Sequence, residues 1–306
     1  MIMATQFEIT SQNPSEFLSM TSYTLKEFEA LLPAFEEELL HSKQTLEGKE
    51  RKRKYSHYSN SPLPTPADQL FFILVYQKHY PLQSMQGTLF GISQPKTNVW
   101  IHFLSPILKS ALAKLGAVPA RSMEELEIEG ESQTFLHDGT ERPIQRPKDE
   151  EQQKEFYSGK KGHTLKNTVL SNQNCKVIYL TETVEGKKHD KKLADESHYQ
   201  LPAGSLLFQD TGFQGFSLEN VLILQPKKKP KGKELTEEEK EKNRGITTVR
   251  VRIEHVISGV KRCRIVKDTF RNYKKGFKDL VMEISCALHN FRLKFRPWAI
   301  IEVEII

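Results

Sequence analysis

The chain has 306 residues, of which 37% are hydrophobic and 27% are charged, and this length is enough for two domains. No apolar run approaches the roughly 18–20 residues that cross a bilayer, and the first residues lack the basic start and apolar core of a signal peptide, which excludes membrane and secreted proteins. The three cysteines are too few and too scattered for a disulfide framework or a structural zinc site, so we expect a reducing, intracellular compartment.

The net charge of +6 is distributed unevenly along the chain. Residues 1–50 hold nine acidic and three basic side chains, whereas residues 226–275 hold seventeen basic and seven acidic ones. Such a local excess of cations favours a polyanionic partner, and we expect that partner to be nucleic acid. For residues 227–242 alone, a solvated lysine-rich loop explains the charges equally well.

Residues 1–60 predict an acidic segment that is partly helical. One amphipathic helix is expected over residues 24–40, because Thr24 and Glu27 have the spacing of a capping box. The polar residues that follow predict no further helix, and the run SPLPTP at residues 61–66 interrupts any regular structure. We therefore place a domain boundary near residue 60.

Residues 61–120 predict an all-α domain of three helices in a helix-turn-helix arrangement. After a first apolar-periodic segment, a second helix is expected over residues 82–90, and a short turn beginning at Gly91 separates it from a third. Ser93 and Pro95 suit the N-cap and the first turn of that third helix. Its inward stripe is formed by apolar residues at helical spacing, namely Val99, Phe103 and Ile107.

The N-terminal end of the last helix is the part of a helix-turn-helix that enters the major groove. Polar residues stand at this end, and we expect them to contact base edges or phosphates: Gln94, Lys96, Thr97 and Asn98. The alternative is a small helical bundle, since any such bundle also carries polar residues on its outer face. The segment by itself leaves both interpretations open.

From about residue 130 the pattern changes to short apolar or alternating runs, which predict a mixed α/β domain over residues 130–295. Strands are expected over residues 134–136, 163–171, 176–183, 206–209 and 221–224. We interpret residues 226–245 as a flexible charged insertion, followed by a final helical region over residues 247–292.

Three acidic residues stand at positions that suggest chemistry. Asp138 and Asp210 each follow a short apolar strand, and Glu254 lies in a predicted helix that is otherwise basic. Carboxylates gathered from strand ends and a helix can bind one or two hard cations such as Mg²⁺. Each residue also has an ordinary explanation, because Asp-Gly is a common turn and Glu254 can pair with Arg250 four residues earlier.

The amino-acid sequence around these acidic residues resembles that of the insertion-sequence DDE transposases of the group that includes the Harbinger-type transposases. The resemblance covers about residues 62–271. It is carried by ordered motifs, namely HDGTERPIQRP at 137–147, FYSGKKGHTLKNTV at 156–169, KHD at 188–190, FQDTGFQG at 208–215 and NRGITTVRVRIEHVISGVKR at 243–262.

The resemblance implies an α/β catalytic domain of the RNase H-like fold, in which helices flank a mixed five-stranded sheet, preceded by the helix-turn-helix domain. It places the three acidic residues of the family on Asp138, Asp210 and Glu254. It further implies that these residues bind two Mg²⁺ ions, which Mn²⁺ can replace, and that the protein cleaves DNA and then transfers the cut strand.

Related transposases also place a Tyr, an Arg and a Lys around the Glu at fixed helical offsets. Arg250 and Lys261 match this pattern, but Thr247 stands where the family has the Tyr. In one continuous helix, Arg250, Glu254 and Lys261 would project from the same face. We therefore expect the two cations to contact phosphates of the scissile strand.

Four more residues are secondary candidates. Lys160 and Lys161 precede a predicted strand and could hold the DNA backbone, with a solvated turn as the alternative. Asp190, in a His-Asp pair common in the family, competes with Asp210 for the role of second ligand. We prefer Asp210, because Asp190 begins a helix-like run where Asp is an ordinary cap. Asp190 and His255 are kept as auxiliary candidates.

The sequence therefore predicts an insertion-sequence transposase that binds terminal inverted repeats with its N-terminal helices and cuts with its α/β domain. Its expected partner is double-stranded DNA, both element ends and target, on which it acts as a homo-oligomer without a membrane. In a bacterial host it would be cytoplasmic and nucleoid-associated. The alternatives are an inactive or domesticated descendant, a related nuclease, and a helix-turn-helix regulator without enzymatic activity.

Overall fold

The structure, a computed structural model, describes residues 5–53, 55–56, 61–126, 128, 133–159, 162–232 and 234–299. Contacts divide the chain into two compact units, each assembled from several segments. The first unit runs to Val118 and adds Val260–Asp268 and Asn272–Phe295. The second holds Pro119–Gly259 and Thr269–Arg271, with the described residues that follow Phe295.

Helices dominate the first unit, whereas the second combines them with a sheet. Within the described residues the α-helices are α1 (Gln6–Ser11), α2 (Pro14–Thr21), α3 (Leu25–Leu40), α4 (Pro66–His79), α5 (Gln83–Phe90), α6 (Gln94–Lys114), α7 (Glu150–Phe156), α8 (Asp190–Glu196), α9 (Glu237–Val260) and α10 (Phe277–Leu293). Two short 3₁₀ helices, Thr211–Phe213 and Arg264–Val266, complete the helical elements of these ranges.

Local capping signals set the helix starts where the sequence predicts them. Thr24 caps α3 in a reciprocal capping box with Glu27, which confirms the expected helix. Thr65 and Asp68 form the same arrangement at the start of α4. Gly91 ends α5 with a backbone φ of 65°, a conformation that glycine adopts without strain, and so makes the tight turn into α6.

The helix-turn-helix prediction corresponds to α4, α5 and α6. In α6, Phe103 and Ile107 are buried as expected and Val99 is half-buried. The first unit also has an aromatic core that joins the N-terminal helices to α4. In it Phe7 stacks on Phe28, with ring centroids 5.2 Å apart, and Phe17 stacks on Phe71 at 5.6 Å.

The C-terminal helix α10 belongs to the first unit and packs against α6. The rings of His102 and Phe277 lie 4.6 Å apart, and Lys109 forms an ion pair with Glu283 at 2.9 Å. The side-chain amide of Asn290 donates a hydrogen bond to the backbone carbonyl at the end of this region, that of Ala117, at 2.8 Å. The core that supports α6 therefore includes residues from near the far end of the sequence.

The second unit contains a mixed sheet. Its strands are β1 (Thr134–Pro143), β2 (Thr164–Asn172), β3 (Val177–Leu180), β4 (Val184–Glu185), β5 (Leu206–Gln209) and β6 (Leu222–Leu224). The order across the sheet is β3-β2-β1-β5-β6, and the two-residue strand β4 pairs with β2. Strands β1, β2 and β3 pair antiparallel, whereas β1, β5 and β6 pair parallel. This is the mixed sheet implied by the family resemblance, with β4 as a short addition.

Strand β1 is longer than the sequence predicts. We expected it to end before Asp138, but it continues to Pro143, because it pairs with β2 over the whole span from Phe135 opposite Asn172 to Pro143 opposite Thr164. Its second half is polar in sequence yet contains the buried side chain of Arg142. Asp138 is therefore inside a strand, at the point where only the parallel pairing ends.

The C-terminal helical region also differs from expectation. Helix α9 begins at Glu237, so part of the predicted charged insertion is helical. Thr236 starts it, since its hydroxyl accepts a hydrogen bond from the backbone of Glu239, whose carboxylate accepts one from the backbone of Thr236. The expected continuous region is broken after Val260, and α10 starts anew at Phe277. In the ranges described above, no helix is long and apolar enough to cross a bilayer.

Candidate active site at the carboxyl ends of two parallel strands

Asp138 and Asp210 lie side by side where the pairing of β1 with β5 ends. The last registered pair is His137 opposite Gln209, so each aspartate directly follows a paired residue. Each Oδ1 accepts a hydrogen bond from the next backbone N–H, at 2.8 Å for Asp138 and 2.7 Å for Asp210. Because both residues follow the last registered pair of two neighbouring strands, and the charge of Asp210 acts on Asp138, the two carboxylates belong to one site.

A buried hydrogen-bond network fixes the residues that precede the two aspartates. Gln209 Oε1 accepts a hydrogen bond from the side-chain amide of Gln225 at 3.1 Å, so its Nε2 donates to His137 Nδ1 at 2.8 Å. His137 Nε2 then carries the proton and donates to the hydroxyl of Tyr199 at 2.9 Å. Burial lowers the pKa of His137 to about 3, so the ring is a neutral structural link between β1 and β5.

Asp138 is the aspartate whose protonation the site perturbs most clearly. Burial raises its pKa to about 6, and the negative charges of Asp210 and Asp190 act in the same direction. The hydrogen bond from Gly139 and the positive charge of Arg250 oppose this shift. Negative charge is therefore crowded at this edge of the sheet, where a cation would be stabilised.

Helix α9 brings Arg250 to the site. Ile246, Val249 and Ile253 form its buried side, and the Arg250 side chain is 12% exposed. Its Nη2 lies 3.4 Å from Oδ1 of Asp210. The guanidinium can therefore neutralise Asp210 in the absence of DNA, or contact a phosphate group that enters the site.

The other predicted residues of this region are less closely gathered. Glu254 lies on α9 one turn after Arg250, but its side chain is exposed. Over the ranges that the structure describes, no three His, Cys, Asp or Glu side chains are placed to hold one metal ion. Lys261 lies one residue beyond the end of α9, so it does not share one helix with Arg250 and Glu254 as expected. His255 is exposed, and its ring centroid is 6.2 Å from that of Trp298.

Asp190 lies at the same site, and its environment differs from the one predicted. It is the first residue of α8, with His189 at the N-cap position, so the predicted capping role is wrong. Its carboxylate instead forms an ion pair with Lys166 of β2 at 3.1 Å. Its charge contributes to the raised pKa of Asp138, which places it close to the first aspartate.

The predicted DNA-contacting residues of α6 differ in how exposed their side chains are. Gln94 and Lys96 are exposed at its first turn, and Asn98 is half-buried. Thr97 is fully buried, and its hydroxyl donates to the backbone carbonyl of Ser93 at 3.0 Å, so the prediction that it leads into the groove is wrong. Lys160 and Lys161 lie outside the described residues.

Sequence reasoning missed the residues that support the two aspartates. His137 and Gln209 occupy equivalent positions in the motifs HDGT and FQDTG, and this parallel was the available signal. A lysine within the apolar run TLKNTVL was a second signal, since Lys166 is almost completely buried in the sheet. Both signals indicate a role at the site only when the order of the strands in the sheet is known.

Comparison with known proteins agrees with this geometry. Residues 137–290 match the family model described as DDE superfamily endonuclease, and residues 61–114 match the helix-turn-helix of DDE superfamily endonuclease. The chain is 30% identical over 230 residues to the "Probable transposase for insertion sequence element IS702" of Microchaete diplosiphon, covering 75% of this chain and 81% of the relative. The comparison with solved structures gave no match. The chain belongs to the insertion-sequence transposases of the DDE endonuclease superfamily, with a helix-turn-helix domain before the endonuclease domain.

Proposed function

We propose that this transposase binds the terminal inverted repeats of its element through residues 61–120 and cuts and joins DNA with residues 130–295. Residues 1–60 would be an acidic segment whose helices pack on α4 through the aromatic core, and residues 226–245 would be a charged insertion in the catalytic part. The observation that carries the proposal is the pairing of β1 with β5, which sets Asp138 beside Asp210. The matches of both parts of the chain to family models support this assignment of DNA binding and DNA cutting to different parts.

Divalent metal ions fit this site through the chemistry of its donors. Asp138 and Asp210 offer hard oxygen ligands at one sheet edge, and the raised pKa of Asp138 reflects buried negative charge that a cation would relieve. Glu254 would supply the third carboxylate from α9. Two Mg²⁺ ions, or Mn²⁺ in their place, would activate a water molecule or a 3′-hydroxyl for in-line attack on phosphorus.

The remaining residues of the proposal bind and orient DNA. Arg250 would exchange its contact with Asp210 for a phosphate group of the scissile strand, and Lys261 would hold the neighbouring backbone. Lys160 and Lys161 are proposed to contribute further backbone contacts. At the start of α6, base or phosphate contacts would come from Gln94, Lys96 and Asn98.

The alternative functions are not favoured. An inactive descendant would be free to lose its carboxylates, but Asp138, Asp210 and Glu254 are all present. A regulator that only binds DNA would leave the endonuclease match over residues 137–290 without a role.

Nicking of terminal-repeat DNA by the purified protein tests the proposal. Asp138→Asn, Asp210→Asn and Glu254→Gln should each abolish Mg²⁺-dependent nicking and leave binding of the repeat nearly unchanged. Asp195→Asn is the matched control, because Asp195 is an exposed acid that pairs with Lys191 in solvent. A variant that nicks at close to the parental rate removes that residue from the proposed ligand set.

Oligomeric state and cellular location complete the proposal. An element has two ends, and a reaction that joins both to one target needs two active sites, so we propose a homo-oligomer on DNA. Binding to chromosomal DNA would place the protein with the nucleoid in a bacterial cell. Size measurement with and without repeat DNA tests the first point.

A further inference from the structure

Lys166 occupies an unusual position in the sheet. It lies on β2 directly opposite Glu141 of β1, and its side chain is only 8% exposed. Its ammonium group is 3.1 Å from Asp190 and 3.6 Å from Glu141, and it donates a hydrogen bond to the backbone carbonyl of Lys188 at 2.8 Å. The buried ammonium is thus held by one hydrogen bond to a backbone carbonyl and by ion pairs with two carboxylates, which compensate its charge.

The carboxylate of Asp190 touches the backbone beside both aspartates of the site. A Cβ atom placed on Gly139 would lie 2.7 Å from Asp190 Oδ1, and one placed on Gly212 would lie 3.1 Å from Oδ2. Gly139 directly follows Asp138, and Gly212 is two residues after Asp210. One carboxylate group therefore lies between β1 and the 3₁₀ helix Thr211–Phe213, with Oδ1 facing Gly139 and Oδ2 facing Gly212.

We propose that Asp190, held by Lys166, is a positioning residue that sets the separation of Asp138 and Asp210. The inference rests on the proposed function of those two carboxylates. Lys166 anchors Asp190 to β2, and the two oxygens of Asp190 then limit how closely β1 at Gly139 and the 3₁₀ helix after β5 at Gly212 can approach it. A side chain at Gly139 would push Asp190 away, and one at Gly212 would press on it more weakly.

A role of Asp190 as a further metal ligand fits the contacts less well. Its Oδ1 already forms the ion pair with the ammonium group of Lys166 at 3.1 Å, and its Oδ2 faces Gly212. A helix-capping role does not fit either, since α8 has His189 at its N-cap. The contact with both glycines instead fits a spacer between β1 and the 3₁₀ helix that follows β5.

Binding of Mn²⁺ to the full-length protein without DNA tests the proposal independently of cleavage. Asp190→Asn should weaken Mn²⁺ binding, measured by electron paramagnetic resonance, by about 10-fold, which is the scale of a lost supporting contact. Asp138→Asn should abolish that binding, and the control Asp195→Asn should leave it unchanged. Unchanged affinity in Asp190→Asn overturns the proposal, and complete loss, as in Asp138→Asn, also overturns it by making Asp190 a ligand.

The rate of DNA nicking with each metal provides a second test of the positioning role. Asp190→Asn should nick repeat DNA about 10–100-fold more slowly with Mg²⁺ at unchanged DNA affinity, and Mn²⁺ should restore part of the rate because it tolerates less ideal geometry than Mg²⁺. Equal losses with both metals contradict a positioning role. If the parental protein binds Mn²⁺ but does not nick, the proposed function fails while the metal-binding result still decides the role of Asp190.

Substitutions of the two glycines cover the case in which Asp190→Asn does not fold, and a double-substitution cycle adds a further test. Gly139→Ala should reproduce the loss of Mn²⁺ affinity, because the added methyl group collides with Asp190 Oδ1, and Gly212→Ala should do so more weakly. In an Asp190→Ala background, Gly139→Ala should have little further effect, since the collision is gone. Fully additive losses would show that Gly139 and Asp190 act separately and would overturn the proposal.

Discussion

Replacing Asp138 with Asn should make the protein more stable at neutral pH while removing its activity. The carboxyl group has a pKa raised from 3.8 to about 6, with burial as the largest cause. The folded state therefore binds a proton more tightly than the unfolded state between these two values. In this interval the free energy of unfolding falls as the pH rises. The loss of stability caused by ionising the buried carboxyl group is complete above about pH 6. Below pH 3.8 this loss of stability disappears, because the carboxyl group is protonated in both the folded and the unfolded state.

The expected change in the free energy of unfolding follows from the pKa shift of Asp138. Two pKa units correspond to about 3 kcal/mol at 25 °C. Asn keeps the oxygen that accepts the N–H of Gly139 at 2.8 Å, so the substitution need not leave that donor unpaired. Because the amide group is itself partly desolvated, we expect Asp138→Asn to gain about 2 kcal/mol at pH 7.5 without metal. Near pH 4 the gain should fall almost to zero.

Urea unfolding followed by circular dichroism at pH 7.5 and pH 4 measures this difference. The buried His137 also makes stability depend on acid, but it is present in both proteins and largely cancels in the comparison. Asp195→Asn, at an exposed ion pair, should change stability by less than about 1 kcal/mol. If Asp138→Asn is no more stable than the parental protein at pH 7.5, or if its gain persists at pH 4, burial of the carboxylate is not the cause.

Three further predictions concern the network and the DNA contacts. The ring of His137 should remain neutral at pH 5, because its pKa is lowered to about 3, and its NMR signals, assigned by their loss in His137→Gln, should not move between pH 7 and pH 5. This His adds stability that is complete above the unfolded pKa near 6.5 and is lost on acidification. Arg250→Ala should reduce the salt dependence of DNA binding by about one ion, measured by fluorescence anisotropy across a salt series, and an unchanged slope would exclude its phosphate contact. Lys96→Ala should have the same effect on repeat binding, whereas Thr97→Val should cost about 1 kcal/mol of stability and leave the slope unchanged.

The sequence predicted best those features that depend on neighbours in the chain. The start of α3 follows from Thr24 and Glu27, which are three residues apart and form their capping box locally. The positions of Asp138 and Asp210 directly after short apolar runs follow from the sequence and the family motifs, although β1 continues past Asp138. The identity of the family was predicted from the same motifs and is confirmed by the comparisons.

Features that depend on distant partners were missed. The extension of β1 to Pro143 arises from pairing with β2, and a polar sequence gives no local sign of it. The position of Asp190 depends on Lys166, 24 residues earlier in the chain and on a different element. Helix α9 was shortened in the prediction because its first turns are charged on all sides, a pattern that also describes a solvated loop.

The packing of α10 against α6 bears on how the protein is made. A ribosome releases α4, α5 and α6 long before Phe277 emerges, so during synthesis the helix-turn-helix lacks the partner that covers His102 and Lys109. Truncated products that stop before α10 would leave this surface of α6 exposed and open to proteolysis. The first unit therefore reaches its full packing only after α10 has been synthesised.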